Sequence, residues 1–224
     1  RSMEKQTLVE QTTQRLLKMI QREGYGPGDK LPTETELVRR LGVGRNTVRE
    51  ALRSLASRNV VTVRQGAGTF ISEKNGVADD PLGFAMMEDP ERLTRDLLQI
   101  RVMLEPPIAA LAAQNRGEED LERLRALLEE IEGRIARREE YAQLDSQFHA
   151  QIAVCSHNAV VSNLIPVITE GVRTFARTVA EPEYVQTLAS HRAVYEAIRE
   201  GRAADAQEEM LYHLLYNKKR YRHG

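Results

Sequence analysis

Apolar residues recur at three- and four-residue intervals along most of the chain, which is the spacing of amphipathic helices. The first such stretch runs from Leu8 to Glu23. A second begins at Thr33, which has the spacing of a capping box with Glu36, and the turn "GVG" at 42–44 separates it from a third, "RNTVREALRSLASR". The segment "VVTVRQGAGTFIS" alternates instead and turns at "QGAG", which predicts a β-hairpin. Three helices followed by a hairpin is the order of a winged helix-turn-helix domain.

Beyond about residue 90 the strand pattern disappears, and the helical period predicts a bundle of about six helices. Their expected ranges are 91–114, 118–138, 139–155, 159–178, 184–200 and 203–220. The pair Pro106-Pro107 should break or kink the first of them. Residues 75–90 have no stable period and are predicted to form a linker that can hold a short helix. The predicted fold is therefore mainly α, with a winged helix-turn-helix domain at 4–74, a linker at 75–90 and an all-helical bundle at 91–222.

Composition indicates a soluble globular protein, because 41% of the residues are apolar and 29% are charged. No apolar run approaches the roughly 18 residues that a membrane span needs, so we expect no membrane partner. The single cysteine, Cys155, excludes an internal disulfide and a thiolate zinc cluster. Together these features predict a cytoplasmic protein.

The charge is unevenly distributed along the chain, which points to a polyanionic partner for the first third. Residues 1–75 contain 14 Lys/Arg against 8 Asp/Glu, whereas the rest of the chain is acidic. The N-terminal face of the third helix presents Arg45, Asn46, Thr47 and Arg49. Arginine can pair with guanine edges, asparagine with adenine, and hydroxyls suit phosphate. A glycine-tipped hairpin, with Gly66 at its turn, could approach a groove closely. DNA is therefore the expected partner.

The bundle has polar residues at positions where its helical stripes call for apolar ones. Asp145 and His149 lie four residues apart beside an apolar stripe, and His191 and His213 occupy apolar positions on two other helices. A lone histidine on such a stripe is usually a hydrogen-bonded core residue. If the four side chains converge, however, three imidazoles and one carboxylate suit zinc, nickel, iron or manganese. Arg101, which interrupts the stripe of the first bundle helix, would then offer a cationic fork to an anionic ligand.

The stretch "KLPTETELVRRLGVGRNTVREALRSLASRNVVTVRQGAGTFI" resembles the GntR-type bacterial transcription regulators over roughly residues 8–73. The resemblance implies a winged helix-turn-helix in which the third helix contacts operator DNA and the wing tip enters the minor groove. Relatives often have arginine at the position of Thr35 and a small hydroxyl residue at that of Asn46, so the operator sequence is not transferred. The predicted DNA contacts are Thr33, Thr35, Arg45, Asn46, Thr47, Arg49 and Gly66.

Residues 91–220 resemble the ligand-sensing FCD domain of the FadR subfamily. The metal-binding branch of that domain has an Asp-x-x-x-His pair followed by two separated histidines, which implies Asp145, His149, His191 and His213 as metal ligands here. The stretch "IRVMLEPPIAALAA" resembles the family's Arg-x-x-x-Glu helix. Arg101 therefore matches a pocket arginine that pairs with bound carboxylates.

The sequence thus predicts a metabolite-responsive transcription regulator and not an enzyme. A divalent metal, most simply zinc, and a small carboxylate or sugar acid would bind the bundle, and a homodimer would bind a palindromic operator. By resemblance, effector binding releases DNA, so a repressor is expected. Two alternatives stay open: a metal-dependent hydrolase fused to a DNA-binding domain, and a metal with a purely structural role. The effector, the native metal and the operator are not specified by the sequence.

Overall fold

A computed structural model describes residues 6–74, 76–175 and 184–220. Within these ranges the chain divides into two units, with the division after Pro81. The observed architecture agrees with the predicted class, since helices dominate and the two strands form one hairpin. No helix in the described ranges is long and apolar enough to cross a membrane.

The first unit is built from three helices and a two-stranded wing. The elements are α1 (Leu8–Glu23), α2 (Glu34–Leu41), α3 (Arg45–Ser57), β1 (Val61–Arg64) and β2 (Gly68–Ile71). The capping box forms as predicted: Thr33 Oγ1 accepts from the Glu36 backbone N–H, and the Glu36 carboxylate accepts from the Thr33 N–H. The two strands pair antiparallel, with Val61 opposite Ile71 and Arg64 opposite Gly68. Apolar residues from all three helices, including Leu16, fill the core.

The second unit is a six-helix bundle preceded by a short 3-10 helix. Its helices are α4 (Pro90–Asn115), α5 (Glu118–Ala136), α6 (Ala142–Cys155), α7 (Ala159–Phe175), α8 (Tyr184–Arg199) and α9 (Ala203–Arg220). The long α4 contacts α6, α7, α8 and α9, so it lies at the centre of the packing. The predicted end of the fourth bundle helix, near residue 178, falls outside the described residues.

Of the break or kink expected at Pro106-Pro107, the break does not occur, because α4 continues through both prolines for 26 residues. The two missing N–H groups leave the carbonyls of Val102 and Met103 without their helical donors. Met103 is 61% exposed, so water can reach this side of the helix, while packing on four neighbouring helices holds α4 together. The unbroken helix keeps Arg101 and Glu105 one turn apart on the same face.

Part of the segment predicted as a linker packs into the bundle. The 3-10 helix Phe84–Met86 buries Phe84, whose ring meets that of Phe175 edge to face at 6.2 Å between centroids. Gly171 makes room for it, since a Cβ atom there would lie 2.8 Å from the Phe84 ring. Phe84 is thus a core residue of the second unit.

Candidate metal centre and DNA-reading surface

Helices α6, α8 and α9 bring the four predicted ligand residues together inside the bundle. Each of Asp145, His149, His191 and His213 offers one nitrogen or oxygen, and these atoms all lie within 4.8 Å of one another. The three histidines are buried, and the Asp145 side chain is 22% exposed. On α6 the buried Phe148 lies between the two ligand positions, so packing of this helix fixes where both point. We call these four residues the metal centre, after the role that we propose for them.

The outer nitrogen of each imidazole faces a partner that fixes its proton. Nδ1 of His191 donates to the Thr187 carbonyl at 2.8 Å. Ser190 Oγ donates to the same carbonyl at 2.9 Å, so its oxygen is left to accept from Nδ1 of His213, also at 2.9 Å. Nδ1 of His149 lies 2.5 Å from a Glu105 carboxylate oxygen, in an oblique approach that is closer to an ion pair than to an ideal hydrogen bond. With Nδ1 protonated, the Nε2 atom of every neutral ring bears a lone pair.

These lone pairs converge on one point. Nε2 of His149 lies 3.2 Å from Nε2 of His213, and Nε2 of His191 lies 2.8 Å from Asp145 Oδ1. Facing lone pairs repel each other unless a proton or a cation lies between them. A set of three imidazole nitrogens and one carboxylate is also a donor set that divalent transition metals prefer. The residues present therefore fit a bound divalent cation.

The electrostatics of the centre keep its carboxylate ionised and one imidazole neutral. Burial would raise the pKa of Asp145, but its contact with His191 at 2.8 Å and the charge of Arg101 hold that pKa well below its usual range. Burial, reinforced by the neighbouring histidines, depresses the pKa of His213 well below its ordinary value. An ionised carboxylate and a neutral imidazole are the protonation states in which these groups bind a metal.

Glu105 is a functional candidate that the sequence reasoning did not single out. Its carboxylate is buried between Arg101 Nε, at 2.6 Å, and His149 Nδ1. Burial favours the neutral acid, yet Arg101 and His149 outweigh it and lower the pKa of Glu105 to about 2. A carboxylate behind a ligating histidine fixes the ring and raises its basicity. The available signal was the Arg-x-x-x-Glu spacing of this helix, but the resemblance was used to assign a pocket role to Arg101 alone.

Arg101 is buried as predicted, but one edge of its guanidinium is already committed to Glu105. The same residue influences the centre, since its charge lowers the pKa of both Asp145 and His213. Any fork that Arg101 offers to an anion must therefore use nitrogens other than Nε.

Asn217 also reaches the metal centre, one turn after His213 on α9. Its Nδ2 atom lies 3.1 Å from His213 Nε2, and its buried Oδ1 atom has no hydrogen-bond partner among the residues described. By contrast, His157 is a surface residue, as expected, although it pairs with Asp120 at 2.7 Å. His223, the other histidine predicted at the surface, lies outside the described residues.

The predicted DNA contacts lie on the first unit, and most are exposed. Arg45, Asn46 and Arg49 are exposed at the start of α3, and Thr47 is half-buried. Arg49 Nε pairs with Glu34 at 2.8 Å, which joins α3 to the first turn of α2, where Thr33 and Thr35 lie. Gly66 lies in the turn between the wing strands, exposed and with φ +74°, a left-handed conformation that glycine adopts readily.

Together, the wing and recognition helix of the first unit and the polar centre inside the second define a DNA-binding transcription regulator with a helical sensing domain. Residues 8–71 match the model of the bacterial regulatory proteins of the gntR family, and residues 96–216 match that of the FCD domain. The chain belongs to the GntR family and has an FCD domain as its second unit.

Known relatives support this placement over nearly the full length of the chain. The HTH-type transcriptional regulator LutR of Bacillus subtilis is 33% identical over 204 residues, covering 88% of this chain and 93% of LutR. The galactonate operon transcriptional repressor of Escherichia coli is 31% identical, covering 84% and 86%. A solved structure described as Streptococcus agalactiae GntR has 41% identity and a TM-score of 0.84, covering 94% and 99%. The prediction of a regulator, and not an enzyme, is confirmed.

Proposed function

We propose that the bundle binds a divalent metal through Asp145, His149, His191 and His213. Zinc is the first candidate, and nickel, manganese or iron suit the same donors. The observation that supports this is the proton arrangement: every Nδ1 atom faces an acceptor, so the three Nε2 lone pairs meet a carboxylate at one buried point. In the absence of a cation this arrangement would be repulsive.

We further propose that a small carboxylate or sugar acid is the effector. A bound cation would offer such an acid open coordination positions beside its four protein ligands, since zinc can expand beyond four ligands and nickel, manganese or iron accept six. Arg101 is the residue that we expect to pair with the acid. It is buried beside the centre, and its positive charge already lowers the pKa of Asp145. The galactonate operon repressor, whose name refers to a sugar-acid operon, supports this class of ligand.

On the DNA side, we propose that a homodimer reads a palindromic operator through Thr33, Thr35, Arg45, Asn46, Thr47, Arg49 and Gly66. The effector would favour one arrangement of the dimer over the other, since equal affinity for both would shift neither. Relief of repression is the proposed outcome, and the cytoplasm the proposed compartment.

Calorimetry with the His191→Ala variant tests the metal and effector proposals together. Zn²⁺ should bind the wild type stoichiometrically, and the variant should lose more than the roughly 10–100-fold that removal of an outer-shell partner costs. Sugar acids should bind the zinc-loaded wild type and not the variant. His157→Ala is the matched control, because it removes an exposed imidazole from the same unit.

Two results would contradict the proposal in different ways. Equal Zn²⁺ affinity in wild type and His191→Ala would exclude the metal centre. Zinc binding that stabilises the bundle without any acid binding to the loaded protein would instead assign the metal a structural role.

A further inference from the structure

Asn217 is placed to contact an effector bound at the metal centre, although neither the sequence patterns nor the match to the FCD domain assigns this residue a role. It lies four residues after His213 on α9, so both side chains project from one face of the helix. Its Nδ2 atom donates toward His213 Nε2 at 3.1 Å, while Oδ1 is buried and lacks a partner among the described residues. A buried amide oxygen without a partner is unfavourable unless a ligand supplies one.

The hydrogen bond from Asn217 competes with metal ligation for the same electrons. His213 has one lone pair in its ring plane at Nε2, because its Nδ1 proton is donated to Ser190. That lone pair can accept from the Asn217 amide or ligate a cation, but it cannot do both. In the loaded centre the amide nitrogen of Asn217 must therefore leave His213, and both ends of the side-chain amide then need partners.

We propose that Asn217 selects effectors that have a hydroxyl group next to their carboxylate; this inference rests on the proposed function of the metal centre. The amide N–H₂ donates to a carboxylate oxygen, and Oδ1 accepts from the hydroxyl. A 2-hydroxy acid presents this acceptor and donor side by side, whereas an unsubstituted acid leaves Oδ1 buried and unpaired. Sites built to pair with a hydroxyl discriminate strongly against analogues that lack it.

The test compares acids that differ mainly in their hydroxyl groups, titrated into the zinc-loaded full-length chain. The two pairs are L-lactate with propionate, and D-galactonate with hexanoate. In the wild type the hydroxy acid of at least one pair should bind more tightly. Asn217→Leu should reduce that preference about 10- to 100-fold, because it removes the buried amide oxygen that an acid without a hydroxyl would leave unpaired. Gln207→Leu is the control, because it makes a similar change at an exposed position of the same helix.

Zinc affinity is a second measurement. If Asn217 only held the centre in shape, Asn217→Leu would lower the Zn²⁺ affinity, whereas the proposed role predicts no loss. Because Asn217→Leu removes the competing hydrogen bond, its Zn²⁺ affinity should equal or exceed that of the wild type. Asn217→Asp, which adds a carboxylate, should bind Zn²⁺ more tightly and both acids more weakly.

The outcomes separate failure of this inference from failure of the proposed function. An unchanged preference in Asn217→Leu, or a wild type that binds both acids of each pair equally, overturns the role of Asn217 alone. A loss of Zn²⁺ affinity in Asn217→Leu also overturns it and makes Asn217 a metal ligand instead. If Zn²⁺ binds the wild type but no acid does, the effector proposal fails, and the inference fails with it.

Discussion

The two units place their polar functional residues in opposite environments. On the first unit Arg45 and Arg49 stand in solvent, and the ion pair of Arg49 with Glu34 is half exposed. In the second unit the three histidines of the metal centre are buried, and their Nδ1 atoms face the Thr187 carbonyl or the buried side chains of Ser190 and Glu105. Exposed polar groups add little to folding, whereas a buried network is stable only when complete. Substitutions should therefore affect binding alone in the first unit and both binding and stability in the second.

The largest expected effect is on the stability of the second unit. Glu105→Ala would leave Arg101 buried without its carboxylate and would expose Nδ1 of His149 to an unfilled space. Removing one partner of a buried ion pair typically lowers the free energy of unfolding by about 3–5 kcal/mol. Urea denaturation of the metal-stripped protein measures it.

Glu119→Ala is the matched control for this experiment, because Glu119 also pairs with an arginine four residues away on one helix, but in solvent. Its loss should stay below about 1 kcal/mol. If both variants lost equally little, the interior of the bundle would be well hydrated and the contrast between the units would not hold.

Glu105 also illustrates the boundary of what the sequence could predict. Hydrophobic period and capping signals were enough to place α1 and the Thr33 cap, and histidine spacing with family resemblance identified the four residues of the metal centre. Glu105 was missed because its role depends on α4 lying against α6, and periodicity carries no information about which helices touch. The prolines beside it added a misleading signal, since packing on four neighbours overrides their local preference.

The break between α5 and α6 shows a second limit. Helical residues were expected to run from 118 to 138 and to resume at 139, but α5 ends at Ala136 and α6 begins at Ala142. The intervening Arg and Glu residues are good helix formers. Arg138 is nevertheless an exposed residue with φ +56°, and it ends α5 in a left-handed turn closed by the hydrogen bond from the Glu139 N–H to the Arg134 carbonyl, which helix propensity does not reveal.

The next largest effect concerns DNA binding by the first unit. The test uses a duplex that the wild-type protein selects from a random pool. If Arg49 pairs with a base edge, Arg49→Ala should weaken binding to that duplex by about 1–3 kcal/mol. The free energy of unfolding should change by less than about 1 kcal/mol, because the lost ion pair with Glu34 is exposed. Fluorescence anisotropy and denaturation measure the two quantities, and zinc affinity should not change.

Arg123→Ala provides the control for nonspecific charge effects, since Arg123 is an exposed arginine of the second unit. Unchanged DNA affinity in Arg49→Ala would show that the start of α3 is not the reading surface. An equal loss in both variants would indicate general electrostatic attraction.

Thr33 tests whether a residue of the exposed surface can also be structural. Its hydroxyl accepts from the Glu36 N–H and donates to the Glu36 carboxylate, so Thr33→Ala should cost about 1 kcal/mol of unfolding free energy. Thr33→Ser keeps the cap and should restore most of it. If DNA affinity, measured where every variant is fully folded, falls in Thr33→Ala and returns in Thr33→Ser, the hydroxyl also contacts DNA.

The smallest expected effect comes from a second Asp–His pair of the second unit, in which the imidazole of His157 is exposed, so that it isolates the contribution of imidazole burial. Asp120 accepts from the Gly117 N–H at 2.9 Å and pairs with the exposed His157. Burial would raise the pKa of Asp120, but the Gly117 hydrogen bond and His157 lower it below its ordinary value of 3.8. A lowered pKa means that the folded state favours the carboxylate. The stabilisation is therefore present above the unfolded pKa and lost as pH falls through that value and below.

At pH 7, Asp120→Asn should lower the free energy of unfolding by less than about 1 kcal/mol, since its amide oxygen can still accept from the Gly117 N–H. That cost should shrink in denaturation experiments below about pH 4. A cost that stayed constant down to acid pH would mean that the charge of Asp120 contributes nothing, and that pairing with an exposed imidazole does not stabilise this fold.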